Sequence, residues 1–158
     1  VYGLGCHALD ESAIAKVFAA KERPSSDPLI SHVLTADQAL ELWAATPESK
    51  QHGILMSLAD SFWPGPLTIV AKAALTVPAS LMANTGYCAV RSPSHVTARA
   101  LIEAASCPIA APSANKFGHV SPTTADHVWD DLYMEDVWIL QQQDSSEAGA
   151  ENNVNGGG

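Results

Sequence analysis

The sequence is short of cysteine, of positive charge and of long apolar runs. Its 158 residues hold three cysteines, Cys6, Cys88 and Cys107, widely separated and without a CxxC. That excludes a disulfide framework and a cysteine-built zinc site, and predicts buried thiols in a reducing, cytoplasmic setting. Cys6 and His7 are adjacent, and adjacent residues rarely share one metal. Lysine and arginine number eight against seventeen acids, a formal charge of -9. A protein built mainly to grip a nucleic-acid backbone needs a basic face, and this balance does not supply one. No apolar run reaches the roughly 18 residues a helix needs to cross a bilayer, so a membrane protein is not expected. No signal-peptide pattern is present. The chain opens on Val1 rather than Met, so the natural N-terminus is expected upstream.

What is present describes a globular chain. Hydrophobic residues make up 47% and charged residues 16%, enough for one domain with a proper core. The pattern predicts a strand over Val1–Cys6, then a helix from about Glu11 to Lys21, capped by Asp10, striped by Ile14, Val17 and Phe18, and stopped by Pro24. A strand follows over Pro28–Leu34. Thr35 and Gln38 form a capping box for a helix carrying Leu40 and Trp43. The next helix covers roughly Lys50–Phe62, with Leu55, Leu58, Ala59 and Phe62 spaced for burial. Beyond a Pro-Gly-Pro turn come strands over Leu67–Ala71 and Thr85–Arg91, then a helix capped by Ser94 and running to Ala105. A strand over Pro108–Ala111, a polar loop, a helix over Thr123–Leu132 and a last strand over Val137–Leu140 complete residues 1–140. Alternating strands and helices predict an α/β domain with helices packed on a mixed sheet. Residues 141–158 are rich in Gln, Asn and Gly and hold one large aliphatic residue, Val154. They are expected to be a disordered tail.

Candidate functional residues fall at the ends of these elements. In the run PIAAPSANKFGHVSPTTADHV, a rigid apolar piece gives way to a loop with Ser113, Asn115 and Lys116. These side chains suit a phosphorylated ligand, and they also suit a turn that caps its own backbone. Lys21 and Arg23 close the first helix. They either complement its dipole or grip a polyphosphate from two sides. Arg91 ends a strand before Ser92-Pro93, where it either partners a ligand carboxylate or pairs with one of the acids. His32 lies near a strand end as a ligand contact or a structural hydrogen-bonder. Tyr2, Gly3 and Gly5 mark a place where backbone and ligand can approach closely. Four of the eight cations (Lys21, Arg23, Arg91 and Lys116) sit at these places, which points to a small anionic ligand. No Ser-His-Asp order, acid pair or metal-ligand spacing emerges, so catalysis by alignment and charge neutralisation is expected.

Taken together, VYGLG, the KxRP of Lys21 to Pro24, PLISH, FWPGPLT, AVRSP and APSAN followed by SPTTADHV resemble, in order, the motifs of the YrdC-like family, the threonylcarbamoyl-AMP synthases. The resemblance covers about residues 1–140. It implies a twisted mixed α/β sheet flanked by helices, with a concave ligand cavity. It also implies the family's reaction: L-threonine, bicarbonate and ATP give threonylcarbamoyl-AMP and pyrophosphate, for threonylcarbamoyladenosine in tRNA. By motif match, Lys21, Arg23, Ser113 and Asn115 hold ATP, while His32, Arg91 and Tyr2 lie near threonine. Mg²⁺ is carried mainly by phosphates, with no ligands from the protein. Downstream partners are the proteins that transfer the threonylcarbamoyl group to tRNA.

The resemblance departs at both ends. A Pro-Thr-x-Thr strand before VYGLG is absent, and a glycine-rich turn with Glu-Ser-Thr is replaced by QQQDSSEAGAENN. Both edges of the pocket are therefore expected to be missing, with weaker ligand binding and an exposed sheet edge. Two other readings stand beside the synthase: a module with weak double-stranded RNA binding, against which the acidic balance counts, and a non-catalytic remnant of the same fold. The related carbamoyl-transfer domains of hydrogenase maturation normally carry zinc-finger-like cysteines, and none occur here.

Overall fold

The computed structural model describes residues 1–141. Its elements run β1 (Cys6–His7), α1 (Glu11–Ala20), β2 (Ile30–His32), α2 (Ala36–Leu40), α3 (Lys50–Phe62), β3 (Ile69–Lys72), a 3₁₀ turn (Ala79–Met82), β4 (Tyr87–Arg91), α4 (Val96–Ala105), β5 (Ile109–Ala110) and α5 (Ala125–Leu132). The five strands form one sheet in the order β1-β5-β2-β4-β3. The β2–β4 pair is parallel and the other three pairings are antiparallel, so the sheet is mixed as the sequence predicts.

Local chemistry sets most boundaries. Asp10 caps α1 by accepting from the backbone N–H groups of Ser12 and Ala13 at 2.8 and 3.1 Å. Thr35 and Ser49 cap α2 and α3 in the same way. Gln38 reaches back to the Leu34 amide at 2.8 Å, so the capping box closes one residue further upstream than its usual form. Four expectations are corrected. α2 ends at Leu40, and Trp43 lies beyond it, where its indole N–H donates to the Cys88 carbonyl at 3.0 Å. His95 rather than Ser94 precedes α4, and it makes no side-chain cap. Phe62 is 55% exposed because α3 turns only Leu55 and Ala59 fully inward. Val137–Leu140 is not a strand: it has no ladder partner among the described residues, and Val137 and Ile139 pack on α5 through Val128 and Leu132. The predicted tail lies outside the described residues from 142 onward.

The sheet has two unlike faces. On one, Ser31, Ile69, Ala71, Cys88, Val90 and Ala110 are all at most 6% exposed, and all but Ser31 join a core with Ile14, Val17, Leu42, Trp43, Leu55 and Leu81. Each buried Val, Leu or Ile here contributes roughly 1.5–3 kcal/mol. On the other, Val70 and Tyr87 are 61% and 56% exposed, while Arg91 and His32 are half-buried. Upstream of β1 the chain stays extended. Leu4 N–H donates to Pro112 O, Ala114 N–H to Tyr2 O, and Gly3 bridges Ser113. At Gly5 an added Cβ would sit 3.0 Å from the Ile109 side chain, a close approach that the side chain would have to relieve by shifting.

Candidate functional site

The half-open face carries one group of candidate residues, and the loop beyond β5 carries a second. The first is built across three strands. Register pairs His32 with Arg91 and with Ile109, so both candidate side chains leave the sheet on one side. Arg91 Nε donates to Thr68 Oγ1 at 2.8 Å. Thr68 immediately precedes β3 and lies opposite Arg91 if that ladder is continued one step. Among the described residues no carboxylate lies within ion-pairing distance of Arg91. His32 Nδ1 lies 3.3 Å from the Ile109 carbonyl, which only accepts, so Nδ1 carries the hydrogen and Nε2 presents a lone pair. Burial lowers the His32 pKa, with the Ile109 hydrogen bond opposing it, and the imidazole is neutral near pH 7.

The second group lies along the same direction, where β5 runs on into the loop with Ser113. Ile109 and Ser113 are four residues apart on an extended chain, about 13 Å. Here the loop is held from inside. Lys21 is 1% exposed, and its ammonium donates to the carbonyls of Ser113 (2.5 Å) and Asn115. Burial, followed by the nearby Arg23 charge, lowers its pKa. The Lys21 carbonyl accepts from Phe117 N–H at 2.8 Å, and Lys116 pairs with Glu22 at 2.7 Å. That ion pair lowers the Glu22 pKa and raises that of Lys116. Asp131 of α5 completes the frame by accepting from Lys116 N–H at 3.0 Å and bonding His119 at 2.9 Å.

Two buried polar atoms in this frame have no partner: Arg23 Nε, a donor, and Asn115 Oδ1, an acceptor. The Asn115 amide nitrogen gives both hydrogens to the Lys116 and His119 carbonyls, each at 2.8 Å, which fixes the orientation of the orphaned oxygen. Arg23 also lies 3.3 Å from the Pro28 carbonyl and 3.7 Å from Asp27.

The structure thus brings His32 with Arg91, and Lys21 with Ser113 and Asn115. Lys21 and Arg23 do not form the two-sided clamp their spacing suggests, because the Lys21 ammonium points inward to the loop it supports. Tyr2 stands apart from His32 and Arg91, packed with Ala114, Val128 and Leu132. A cleft of about 240 Å³ lies beside the first group rather than on it, lined by residues including Leu34, Asp60, Trp63 and Ser92. Thr68 and Asp131 are partners that the sequence reading did not single out. Thr68 lay inside a quoted motif, and period-two counting across β3 and β4 would have set it beside Arg91.

The family model Sua5_yciO_yrdC, described as "Telomere recombination", matches residues 1–154. The chain belongs to the Sua5/YciO/YrdC family. It is 46% identical over 133 residues to the threonylcarbamoyl-AMP synthase of Pyrococcus abyssi, covering 84% of this chain and 38% of that protein. The enzyme of the same name from Bacillus subtilis is 42% identical over 134 residues, covering 84% of this chain and 37% of the relative. The crystal structure of P. abyssi Sua5 complexed with L-threonine superposes with a TM-score of 0.76 over 85% of this chain and 38% of that one. The chain therefore spans under two fifths of the length of these relatives.

Proposed function

We propose that this chain carries the threonylcarbamoyl-AMP synthase activity of its relatives, joining L-threonine, bicarbonate and ATP with release of pyrophosphate. The observation that carries the reading is Arg91, a braced guanidinium with no carboxylate partner among the described residues, in register with a neutral histidine. A guanidinium fork suits the carboxylate of an amino acid, and the His32 lone pair suits its ammonium or hydroxyl hydrogens.

ATP belongs at the other end. Arg23 Nε needs an acceptor, which a phosphate oxygen supplies. Asn115 Oδ1 needs a donor, which a phosphate cannot be and a ribose hydroxyl or adenine amine can. Ser113 sits beside them, and Lys21 serves this end by holding the Ser113–Asn115 backbone in shape. Tyr2 packs on Ala114 and so supports the Ser113–Asn115 end rather than the threonine end. The amine of threonine attacks bicarbonate carbon to give a carbamate and water, and a carbamate oxygen then attacks the α-phosphorus as pyrophosphate leaves. The protein's part is alignment and charge neutralisation. Among the described residues no cluster of three or more Asp, Glu, His or Cys forms a cation cage. Mg²⁺ would arrive on the nucleotide's phosphates and neutralise their charge there. The product, a reactive acyl adenylate, requires a partner that transfers it to tRNA. The three free cysteines suit a reducing cytoplasm. No helix among the described residues is long and apolar enough to cross a membrane.

The test is pyrophosphate release from ATP by the purified chain, with and without L-threonine and bicarbonate. Release is expected to need both co-substrates and to fall at least about tenfold in Asn115→Ala. Release indifferent to threonine, or none from a folded chain, would sink the reading.

A further inference from the structure

We propose that Thr68 is a positioning residue that fixes which edge of the Arg91 guanidinium meets the substrate carboxylate; this rests on the threonine reading of that site. A guanidinium can receive a carboxylate side-on, through Nε and one terminal nitrogen, or end-on, through both terminal nitrogens. Thr68 Oγ1 accepts from Arg91 Nε at 2.8 Å and so occupies the side-on edge. The terminal nitrogens have no hydrogen bond or carboxylate among the described residues, so only the end-on edge is available.

The surroundings reinforce the choice. Arg91 is the last residue of β4 and Thr68 immediately precedes β3, so the hydroxyl is held by the backbone ladder of two strands. His32, opposite Arg91 on β2, is fixed through Ile109. The carboxylate anchor and the neighbouring lone pair therefore keep one separation. Freeing Nε would let the carboxylate slide to the side-on edge and carry the rest of the amino acid away from His32. Thr68 thereby sets the register of the amino acid against its reaction partners as well as its affinity.

The experiment compares wild type, Thr68→Val (similar volume, no hydroxyl) and Thr68→Ser (hydroxyl kept). L-threonine and ATP binding are measured by calorimetry, and the KM for threonine and the preference for L-threonine over L-serine by pyrophosphate release. Thr68→Val is expected to weaken threonine binding about tenfold, leave ATP binding within about twofold and narrow the threonine/serine preference, and Thr68→Ser to restore all three. Threonine binding by Thr68→Val equal to wild type would overturn the proposal. Joint loss of ATP and threonine binding in Thr68→Val would also overturn it, because the hydroxyl would then be a strut of the sheet. Failure of the wild type to bind L-threonine would overturn the reading beneath it, a distinct result.

Discussion

At one end of the site the Lys21 ammonium is buried and donates to two backbone carbonyls; at the other the Arg91 guanidinium is half-buried and touches one hydroxyl. The loop end is also where Lys116 pairs with Glu22, and Arg23 lies near Asp27. Three of the four cations at the motifs are thus engaged with the protein itself, and Arg91 alone lacks a carboxylate or carbonyl partner among the described residues. The difference teaches that a cation's motif does not say whether it holds a ligand or holds the loop that holds the ligand. Burial and the identity of the acceptor decide. Carbonyls at hydrogen-bond distance around a 1% exposed ammonium describe a structural pin. A braced guanidinium on a half-open face describes a receptor.

The contrast breaks first at Lys21. Lys21→Met keeps the stem and leaves two carbonyls unsatisfied, so urea unfolding should show a loss of about 3 kcal/mol. Ligand binding should fall with it. A loss below about 1 kcal/mol would remove the pin from the description. Arg91→Ala should do the reverse. Unfolding free energy should stay within about 1 kcal/mol, while threonine binding by calorimetry weakens about thirtyfold. If stability collapses instead, the two ends are alike. The smallest effect belongs to the exposed Lys116–Glu22 pair. Lys116→Ala should move the thermal midpoint by under about 2 °C, because exposed ion pairs contribute little. A larger shift would make the pair part of the frame.

Much of the scaffold was legible beforehand because its signals are local. The Asp10 cap and the Pro24 stop framed α1, and the periodic stripe framed α3 at Lys50–Phe62. Errors arose where a partner from elsewhere decides. Val137–Leu140 alternates like a strand yet finds no neighbouring strand among the described residues, so its apolar side packs on α5 instead. Phe62 has the right spacing for burial, but the last turn of α3 passes beyond the core. The site shows the same division. Arg91, His32 and the Ser113–Asn115 loop were recognisable as residue types at strand ends. The inward turn of Lys21 was not, because the carbonyls it seeks lie more than ninety positions away in sequence.

Lys21 is fastened to the loop twice, through its ammonium on the Ser113 and Asn115 carbonyls and through its own carbonyl, which accepts from Phe117. Mechanically, the end of α1 and the 113–117 segment are one part rather than two. A displacement of the loop cannot be absorbed by the loop alone; it drags the helix end with it, along with Arg23 two residues further on. The two orphaned atoms, Arg23 Nε and Asn115 Oδ1, therefore sit on the two halves of one fastened unit.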